Sequence, residues 1–401
     1  MSEKWRFPRA ESLPTYAFVA MDAVKKRVSS SGVDLIDLGL GNPDRPTPSP
    51  IVQRLHEAAD VGNNHRYHPG RGLLALRQGI CSWYQRRYGT AFDPEREAIV
   101  TMGAKEGISH LCLAILERGD VAVVPDPCYP IHQGAPLIAG ASAVGYAVRE
   151  GLAPAQAVSD AIARAARDGG RAKLVIANYP HNPTGQVISQ QALGELVRMV
   201  RDSGAMLLHD AAYADLDFER RHAPSIFDCG LPAEEVKQFA VEVFSMSKSY
   251  NMAGWRIAFM VGNERMVAAL AHLKTYMDYG TFMPIQHAAA WALDNGDGLV
   301  DEIRALYQTR ASALVAGLSA AGWGQVPEPS GTMFVWAKLP DKLAALSAVE
   351  AATRLVEEAH VALAPGTGFG PEGEGYLRFA LIEDPPRIDE ACGRLRRFLS
   401  A

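Results

Sequence analysis

The chain has 401 residues, of which 48% are hydrophobic and 21% charged, and its formal net charge is −5. This composition argues against a mainly disordered chain, and the length predicts a large domain with a smaller companion. Basic and acidic residues are interspersed, so the charge pattern indicates neither a nucleic-acid nor a membrane partner. Small molecules are the expected partners.

Five cysteines are scattered along the chain, without the C-x-x-C pair that would indicate zinc or a redox dithiol. This usage fits a reducing compartment. The N-terminal residues do not lead into an apolar segment, and no stretch approaches the roughly 20 apolar residues that span a bilayer. We therefore expect a cytoplasmic protein without a membrane segment.

Short apolar runs alternate with helical patterns through the middle of the chain. They lie at 98–101, 121–124, 173–177, 205–208, 241–244 and 257–261. This alternation predicts an α/β fold with a mostly parallel sheet covered by helices on both faces. Four runs end in polar or glycine-rich clusters, at 103–106, 182–185, 209–210 and 245–248. Ligands of such sheets bind beyond the carboxyl ends of the strands, so these clusters are expected to converge on one crevice.

From about Val300 the pattern changes to long helices around strand-like runs at 331–339, 361–364 and 376–381, which predicts a smaller α+β domain. A final helix is expected after Pro385 and Pro386, because apolar residues then recur with a period close to that of an α-helix. These residues are Ile388, Cys392, Leu395, Phe398 and Leu399.

The segment from Ser245 to Arg256 is the strongest chemical signal. It sets Lys248 just past a buried strand, with hydroxyl groups before it and an arginine after it. A lysine among apolar neighbours and close to a second cation has a lowered pKa, which frees its amine for imine chemistry. From the residue alone, an exposed loop lysine remains the alternative.

This segment, Ser-Met-Ser-Lys-Ser-Tyr-Asn-Met-Ala-Gly-Trp-Arg, resembles the lysine motif of class I aminotransferases, which have the pyridoxal 5′-phosphate (PLP) dependent transferase fold of type I. The resemblance implies that Lys248 holds the cofactor as a Schiff base. It also implies a large domain with a mostly parallel seven-stranded sheet and a smaller α+β domain. The expected division is an N-terminal arm with part of the small domain at 1–45, the PLP-binding domain at 46–295 and the C-terminal small domain at 296–401.

The resemblance assigns further residues to the cofactor ring. Asp210 matches the acid at the pyridine nitrogen, where a carboxylate keeps the nitrogen protonated so that the ring can accept electrons. Tyr213 and Asn182 match the groups on the 3′-oxygen, and Tyr129 matches the aromatic that stacks on the ring. With Lys248, Asp210 and Tyr213 form the expected catalytic set. From the residues alone, Asp210 could be a helix cap and Tyr129 a core residue.

A phosphate site is expected at Gly103, Ala104 and Lys105, which lie between a strand and an apolar helix. Backbone amides at such a helix N-terminus can face a phosphate. The resemblance adds Ser245 and Arg256 as further phosphate ligands, the arginine acting as a clamp for the dianion.

Arg378 lies inside the apolar strand-like run 376–381, where an unpaired guanidinium would be costly to bury. A bound carboxylate explains this placement, and an internal salt bridge is the alternative. The resemblance places the clamp for the substrate α-carboxylate here, assisted by Asn182 and the backbone near Gly41. Tyr16 is a candidate for choosing the substrate side chain.

Tyr67 resembles a tyrosine that reaches the cofactor phosphate of the neighbouring subunit, and Thr281 resembles another contact between subunits. The resemblance thus implies a homodimer with shared active sites. His65 and His68 have the spacing of a metal pair, but no carboxylate or cysteine completes a site, so no metal is expected. The stretch Gly366–Gly370 is interpreted as a tight loop near the substrate, because it lacks the strand-to-helix setting of a dinucleotide fingerprint.

The motifs at 247–257, 209–216 and 377–383 look most like those of bacterial glutamate–pyruvate (alanine) aminotransferases. They predict a ping-pong transfer of the amino group between alanine or glutamate and pyruvate or 2-oxoglutarate. The alternatives are an LL-diaminopimelate or other amino acid aminotransferase, and a PLP-dependent C–S lyase on the same fold. A PLP-binding regulatory module fused to DNA-binding helices is disfavoured, because only about 40 residues precede the family core.

Overall fold

The computed structural model of the chain describes residues 5–13, 17–68 and 70–401. The α-helices are α1 (Pro8–Glu11), α2 (Ala17–Ser29), α3 (Ser49–Ala59), α4 (Leu74–Tyr88), α5 (Ala104–Ile115), α6 (Pro130–Ala139), α7 (Pro154–Arg167), α8 (Gln190–Ser203), α9 (Ala233–Val236), α10 (Met246–Ser249), α11 (Glu264–Met277), α12 (Met283–Asn295), α13 (Asp297–Ala320), α14 (Ala348–Arg354) and α15 (Pro385–Ser400). The strands are β1 (Ile36–Asp37), β2 (Ala98–Thr101), β3 (Asp120–Asp126), β4 (Ser142–Ala147), β5 (Arg171–Asn178), β6 (Met206–Asp210), β7 (Ala240–Ser245), β8 (Ala258–Gly262), β9 (Phe334–Lys338), β10 (Val361–Ala362), β11 (Ala364–Pro365) and β12 (Tyr376–Ala380).

The central sheet has seven strands in the order β2-β8-β7-β6-β5-β3-β4. Strand β8 is antiparallel to both neighbours, and the other pairs are parallel. This confirms the predicted α/β class and the mostly parallel sheet. Six strands coincide with the predicted apolar runs. The seventh, β4, has no strong apolar run, because it lies at the edge of the sheet and its side chains are mostly half-buried.

Both faces of the sheet are buried. Along β5, Val175 packs into one core cluster, while Leu174 and Ile176 pack into a second cluster on the opposite face. Successive strand residues point to opposite faces, so a strand covered on both sides must be apolar at every position. The continuous apolar runs of the sequence therefore reflect burial between two helical layers.

A third core cluster belongs to the C-terminal region. It joins Ile36 and Leu38 with apolar residues from 303 to 398. The region contains the antiparallel sheet β11-β12-β9 and the parallel pair β1-β10. The division into 1–45, 46–295 and 296–401 stays a prediction.

The last helix starts slightly earlier than the sequence predicted. Helix α15 begins at Pro385 itself, and Asp384 is its N-cap residue. Proline is accepted at the first helical position because its missing N–H would have no partner within the helix. Within the described ranges, no helix is long and apolar enough to cross a membrane.

Candidate active site

A cavity of about 500 Å³ lies where the carboxyl ends of β5, β6 and β7 meet the C-terminal region. The expected convergence of polar clusters is observed, because each of the four contributes a side chain to the wall. These side chains are Lys105, Asn182, Asp210 and Lys248. Gly41, Tyr129, Tyr213, Ser245, Arg256 and Arg378 also line the cavity.

Lys248 is positioned by the turn between β7 and the short helix α10. Ser245, the N-cap of this helix, accepts a hydrogen bond from the backbone N–H of Ser247 at 3.2 Å. The Lys248 Nζ donates to the carbonyl oxygen of Gly41 at 2.8 Å. Burial, together with the positive charges of Arg378 and Arg256, lowers the pKa of Lys248 to about 7. A large fraction of this amine is therefore neutral, and nucleophilic, near neutral pH.

Asp210 ends strand β6 and is 3% exposed. Its Oδ2 lies 2.8 Å from Nε2 of His132, and its Oδ1 accepts the backbone N–H of Ala212 at 3.2 Å. Among the described residues, no lysine or arginine forms an ion pair with this carboxylate. A buried carboxylate that faces a cavity in this way suits the protonated nitrogen of a ligand.

The amides of Asn178 and Asn182 and the phenol of Tyr213 also line the cavity. The Asn182 Nδ2 lies 3.5 Å from the Tyr213 hydroxyl, and the Asn182 backbone N–H donates to Oδ1 of Asn178 at 3.0 Å. Asn178 in turn donates to the Asp210 carbonyl at 2.8 Å. Burial raises the pKa of Tyr213 well above its usual value, so its phenol remains a hydrogen-bond donor at neutral pH.

Arg378, in β12, projects between two buried aromatic rings. Its guanidinium carbon lies 3.9 Å from the Phe334 ring centroid and 4.5 Å from that of Phe369. Nη1 donates to Oδ1 of Asn182 at 3.0 Å, and Nη2 donates to the carbonyl of Gly39 at 3.1 Å. The planar fork is thereby fixed in orientation, as a bidentate carboxylate clamp requires.

The opposite end of the cavity is positively charged. Helix α5 begins at Ala104, directly after Gly103, whose φ is +83°. A Cβ at Gly103 would lie 2.1 Å from Nη2 of Arg256, so only glycine lets the helix N-terminus and this guanidinium approach so closely. The exposed Lys105 lies beside them, and its Nζ is 5.3 Å from the Tyr129 ring centroid. This set of donors and charges can bind a phosphate.

Three residues named from the sequence lie elsewhere or cannot be placed. Tyr67 is 84% exposed, contacts the tilted ring of Tyr279 at a centroid distance of 4.5 Å, and does not line the cavity of its own chain. Thr281 is buried, and its hydroxyl donates to the carbonyl of Arg256 at 3.2 Å. Tyr16 lies outside the described residues.

Sequence reasoning missed His132, Asn178 and Phe334, whereas Phe369 lies in the Gly366–Gly370 loop that was expected near the substrate and lines the cavity. His132 is fully buried on helix α6, three residues after Tyr129. Its only sequence signal is a histidine in an apolar helix, which does not indicate a partner 78 residues away. Asn178 could have been found, because it is the polar last residue of an apolar strand.

The expected PLP cofactor fits these residues. At the cationic end of the cavity, the N-terminus of α5 lies beside Lys105 and Arg256. Its backbone N–H groups and these positive charges suit a phosphate dianion. Lys248 offers a neutral amine between that end and Arg378, and the Asp210 carboxylate offers a partner for a pyridinium nitrogen.

Comparisons with known proteins agree with this fit. The family model described as aminotransferase class I and II matches residues 33–395. The chain is 42% identical to the glutamate-pyruvate aminotransferase AlaC of Escherichia coli, over 99% of this chain and 94% of that protein. It is 38% identical to the LL-diaminopimelate aminotransferase of Moorella thermoacetica, over 98% and 97% of the two chains.

A solved structure shares the whole fold. The substrate-bound BacF of Bacillus subtilis superposes with a TM-score of 0.89 at 31% identity and covers 99% of this chain and 98% of its own. Fold, cavity and sequence similarity thus lead to one assignment. The chain belongs to the class I and II aminotransferases, whose members use pyridoxal phosphate.

Proposed function

We propose that this aminotransferase moves the amino group between L-alanine or L-glutamate and the corresponding 2-oxo acids, pyruvate and 2-oxoglutarate, by a ping-pong mechanism. The observation that carries the proposal is the 42% identity to the E. coli glutamate-pyruvate aminotransferase across 99% of the chain. Apolar side chains around the substrate end of the cavity suit the methyl group of alanine. They include Met21, Leu40, Leu363 and Phe369.

In this proposal, Lys248 binds the cofactor covalently. The bound cofactor supplies an electron sink for the charge that develops at the substrate Cα. Asp210, held by His132, would keep the proton on the pyridine nitrogen, while Tyr213 and Asn182 would donate to the 3′-oxygen. Tyr129 would support the ring, and Gly103, Ala104, Lys105, Ser245 and Arg256 would hold the phosphate.

Lys248 would have a second role with the cofactor bound, as an acid and base. Its Nζ would carry a proton between the substrate Cα and the cofactor C4′. A pKa of about 7 suits this task, because a base and acid of that pKa both accepts and returns a proton near neutral pH. The Gly41 carbonyl, 2.8 Å from Nζ, orients the amine.

Arg378 binds the substrate α-carboxylate. Phe334 and Phe369 cover the two sides of the guanidinium, which keeps water away and strengthens the charge-assisted hydrogen bonds. The amide of Asn182 holds one nitrogen of the fork and contacts Tyr213. It therefore connects the carboxylate clamp to the reacting end of the substrate.

The second candidate substrate is LL-diaminopimelate. A charged trio lies on the cavity wall, where the Lys25 Nζ is 2.8 Å from Asp22 and 3.1 Å from Asp37. An ammonium flanked by two carboxylates is complementary to a side chain that itself ends in an ammonium and a carboxylate. Alanine does not need these groups, and the similarity to LL-diaminopimelate aminotransferases favours the same candidate.

A half-reaction screen tests the substrate. Single amino acids are added to the holoprotein, and the cofactor absorbance is followed until it reaches that of the amine form. Conversion by both L-alanine and L-glutamate, with recovery by pyruvate and 2-oxoglutarate, supports the proposal. Conversion by LL-diaminopimelate with inert alanine supports the second candidate. Release of ammonia without a stable amine form would identify a lyase instead.

We also propose a homodimer with shared active sites. Aromatic side chains are exposed in the loop between α3 and α4 and around the end of α11. Tyr67 is 84%, Tyr276 82% and Tyr279 64% exposed. Such a patch on a single chain is typical of a protein interface. The side chain of Arg256 is also exposed in the single chain, which leaves room for a residue of a second copy at the phosphate.

A complementation experiment tests the dimer. Lys248→Ala and Tyr67→Ala are each expected to be impaired as homodimers. Mixed dimers restore one complete site if Tyr67 serves the neighbouring chain, so activity should rise after the two variants are unfolded and refolded together. Unchanged activity in proven mixed dimers, or a monomer in sedimentation analysis, would contradict the proposal.

We place the protein in the cytoplasm. All five cysteines are free, and four of them are buried. Burial raises the pKa of Cys112 and of Cys128 to about 12, which keeps these thiols protonated and unreactive. Cell fractionation with a cytoplasmic marker tests this placement.

A further inference from the structure

A buried lysine outside the cavity forms an ion cluster that the proposed chemistry does not use. Lys274, in helix α11, is 0% exposed, and its Nζ lies 2.9 Å from Oε1 of Glu106 and 2.9 Å from Oδ1 of Asp278. His110 completes the cluster, with Nδ1 2.5 Å from the same Glu106 oxygen. A buried ammonium between two carboxylates is retained only where its geometry is well satisfied.

The cluster has the composition of a metal site, but the Lys274 ammonium already supplies a cation to its two carboxylates. The ligand atoms of Glu106, His110 and Asp278 lie within 4.8 Å of one another. The Lys274 ammonium lies within hydrogen-bond distance of both carboxylates, where a cation would otherwise be bound. The cluster therefore links helices α5 and α11 by ion pairs, and its two carboxylates also make contacts outside the cluster.

The Glu106 carboxylate is connected by hydrogen bonds to Arg256 at the phosphate end of the cavity. Oε2 of Glu106 accepts the backbone N–H of Met102 at 2.8 Å. The carbonyl of Met102 accepts a hydrogen bond from Nη2 of Arg256 at 3.4 Å. Glu106 thus fixes the turn that precedes Gly103 and, through it, the position of the Arg256 side chain.

The Asp278 carboxylate is connected to Arg256 through the loop that follows α11. Oδ1 of Asp278 accepts the backbone N–H of Gly280 at 2.7 Å, and the next residue, Thr281, donates its hydroxyl to the Arg256 carbonyl at 3.2 Å. Arg256 has a φ of +54°, in the left-handed region that residues with a side chain seldom adopt. Its backbone therefore needs support from its surroundings.

We propose that Lys274 is a positioning residue for the cofactor phosphate, because its ammonium fixes both the turn and the loop that hold Arg256. The proposal rests on the assignment of Arg256 and the α5 N-terminus to the phosphate. Removing the ammonium leaves two partly buried carboxylates without the lysine counter-charge, so Met102 and the 278–281 loop are displaced. The defect must then appear in the binding of the phosphate group and not in the binding of the pyridine ring.

The test compares two ligands on the full-length apoprotein. Dissociation constants are measured for pyridoxal 5′-phosphate and for pyridoxal, which lacks the phosphate. Lys274→Met should weaken the binding of pyridoxal phosphate about tenfold or more, the range known for outer-shell partners of other bound groups. Pyridoxal binding should change less than about twofold. Thr281→Val, which removes the hydrogen bond to the Arg256 carbonyl, should shift the ratio in the same direction by a smaller factor.

Lys237 provides a matched control. It is also buried, and its Nζ pairs with Glu97 at 3.2 Å and with Glu234 at 2.7 Å, but these groups make no contact with Arg256. Lys237→Met should lower the melting temperature and leave the affinity ratio of the two ligands unchanged. The same ratio in Lys274→Met and wild type, or equal losses for both ligands, would overturn the proposal.

Arg256→Met separates this proposal from the site assignment. It should abolish most of the preference for pyridoxal phosphate over pyridoxal. If it does not, the phosphate site itself is wrongly assigned. If it does while Lys274→Met and Thr281→Val keep the wild-type ratio, only the role of Lys274 is wrong. Should Lys274→Met fail to fold, Thr281→Val alone decides by the same ratio.

Discussion

His132 and Asp210 form a buried pair beside the cavity, with 2.8 Å between Nε2 and Oδ2 and both residues at most 3% exposed. The imidazole is held by helix α6 and the carboxylate by the end of β6, so their contact fixes one element against the other. It also directs the second carboxylate oxygen toward the backbone N–H of Ala212.

Replacing His132 should impair catalysis without removing the cofactor site. His132→Leu leaves Asp210 without its side-chain partner, and we expect kcat to fall by about tenfold or more, as for other orienting partners of a bound group. His132→Gln keeps a donor that can reach Oδ2 and should recover part of the loss. Steady-state kinetics of both holoproteins measure this, and equal activities in Leu and Gln variants would exclude an orienting role.

Asp210→Asn should leave the fold intact and slow the chemistry. A neutral amide cannot keep the pyridine nitrogen protonated, so the ring becomes a poorer electron sink. We expect the rate of the half-reaction to fall by about 10²-fold or more, a typical contribution of a positioned acid or base. Cofactor retention on dialysis should fall as well. A variant with unchanged turnover would show that Asp210 serves only the local structure.

The rate of cofactor binding should depend on pH through Lys248. Its pKa is lowered to about 7, so the neutral, nucleophilic amine increases as the pH rises through 7 and reaches a plateau above it. Pyridoxal, which lacks a titrating phosphate, is the suitable probe for the apoprotein. Arg378→Met removes one of the positive charges that lower the pKa and should move the midpoint upward. A midpoint near 10 in the wild type would contradict the buried, cation-flanked environment.

A second buried network should control acid stability. Glu242 is 2% exposed, and its carboxylate accepts from His209 Nδ1, the Tyr84 hydroxyl and the Ser225 hydroxyl, each at 2.8 Å. Burial alone would raise the pKa of Glu242, but hydrogen bonds, above all that from His209, outweigh it and lower the pKa. A lowered folded-state pKa stabilises the protein above the ordinary pKa, and this contribution is lost as the pH falls through the lowered value.

Glu242→Gln tests this network. The substitution leaves the partners imperfectly paired and should lower the free energy of unfolding by about 3–5 kcal/mol at neutral pH. The difference from wild type should shrink in acid, where Glu242 of the wild type is protonated. Glu195→Gln, on an exposed helical face, should change the free energy of unfolding by less than about 0.5 kcal/mol. A difference that stays constant from pH 7 to pH 3 would contradict the lowered pKa.

The sequence predicted local features well, because an apolar run such as 173–177 can be recognised as a strand without knowledge of its neighbours in the sheet. Strand β4 was missed, since an edge strand needs few large apolar residues. The contact between the Lys248 amine and the Gly41 carbonyl joins residues 207 positions apart. Such contacts depend on how the two core regions pack together, which periodicity does not report.

Site residues that lie in a sequence motif were predicted. Those that reach the site only through tertiary packing were missed. Asp210 and Arg378 lie in recognisable strand-end or strand-interior positions. His132 and Phe334, by contrast, are a histidine in an apolar helix and an apolar strand residue, and their role depends on the side chains that they meet in space. The strand ends position the polar site residues, and tertiary packing brings in the side chains that orient them.

Lys248 is expected to bind the cofactor covalently in this cavity. Borohydride reduction of the native holoprotein makes the covalent link between amine and cofactor permanent, and peptide mapping locates it. We expect the label on the peptide that contains Lys248, and we expect Lys248→Ala to bind the cofactor without being labelled and to lose nearly all turnover. A label on any other lysine of the wild-type protein would contradict the account.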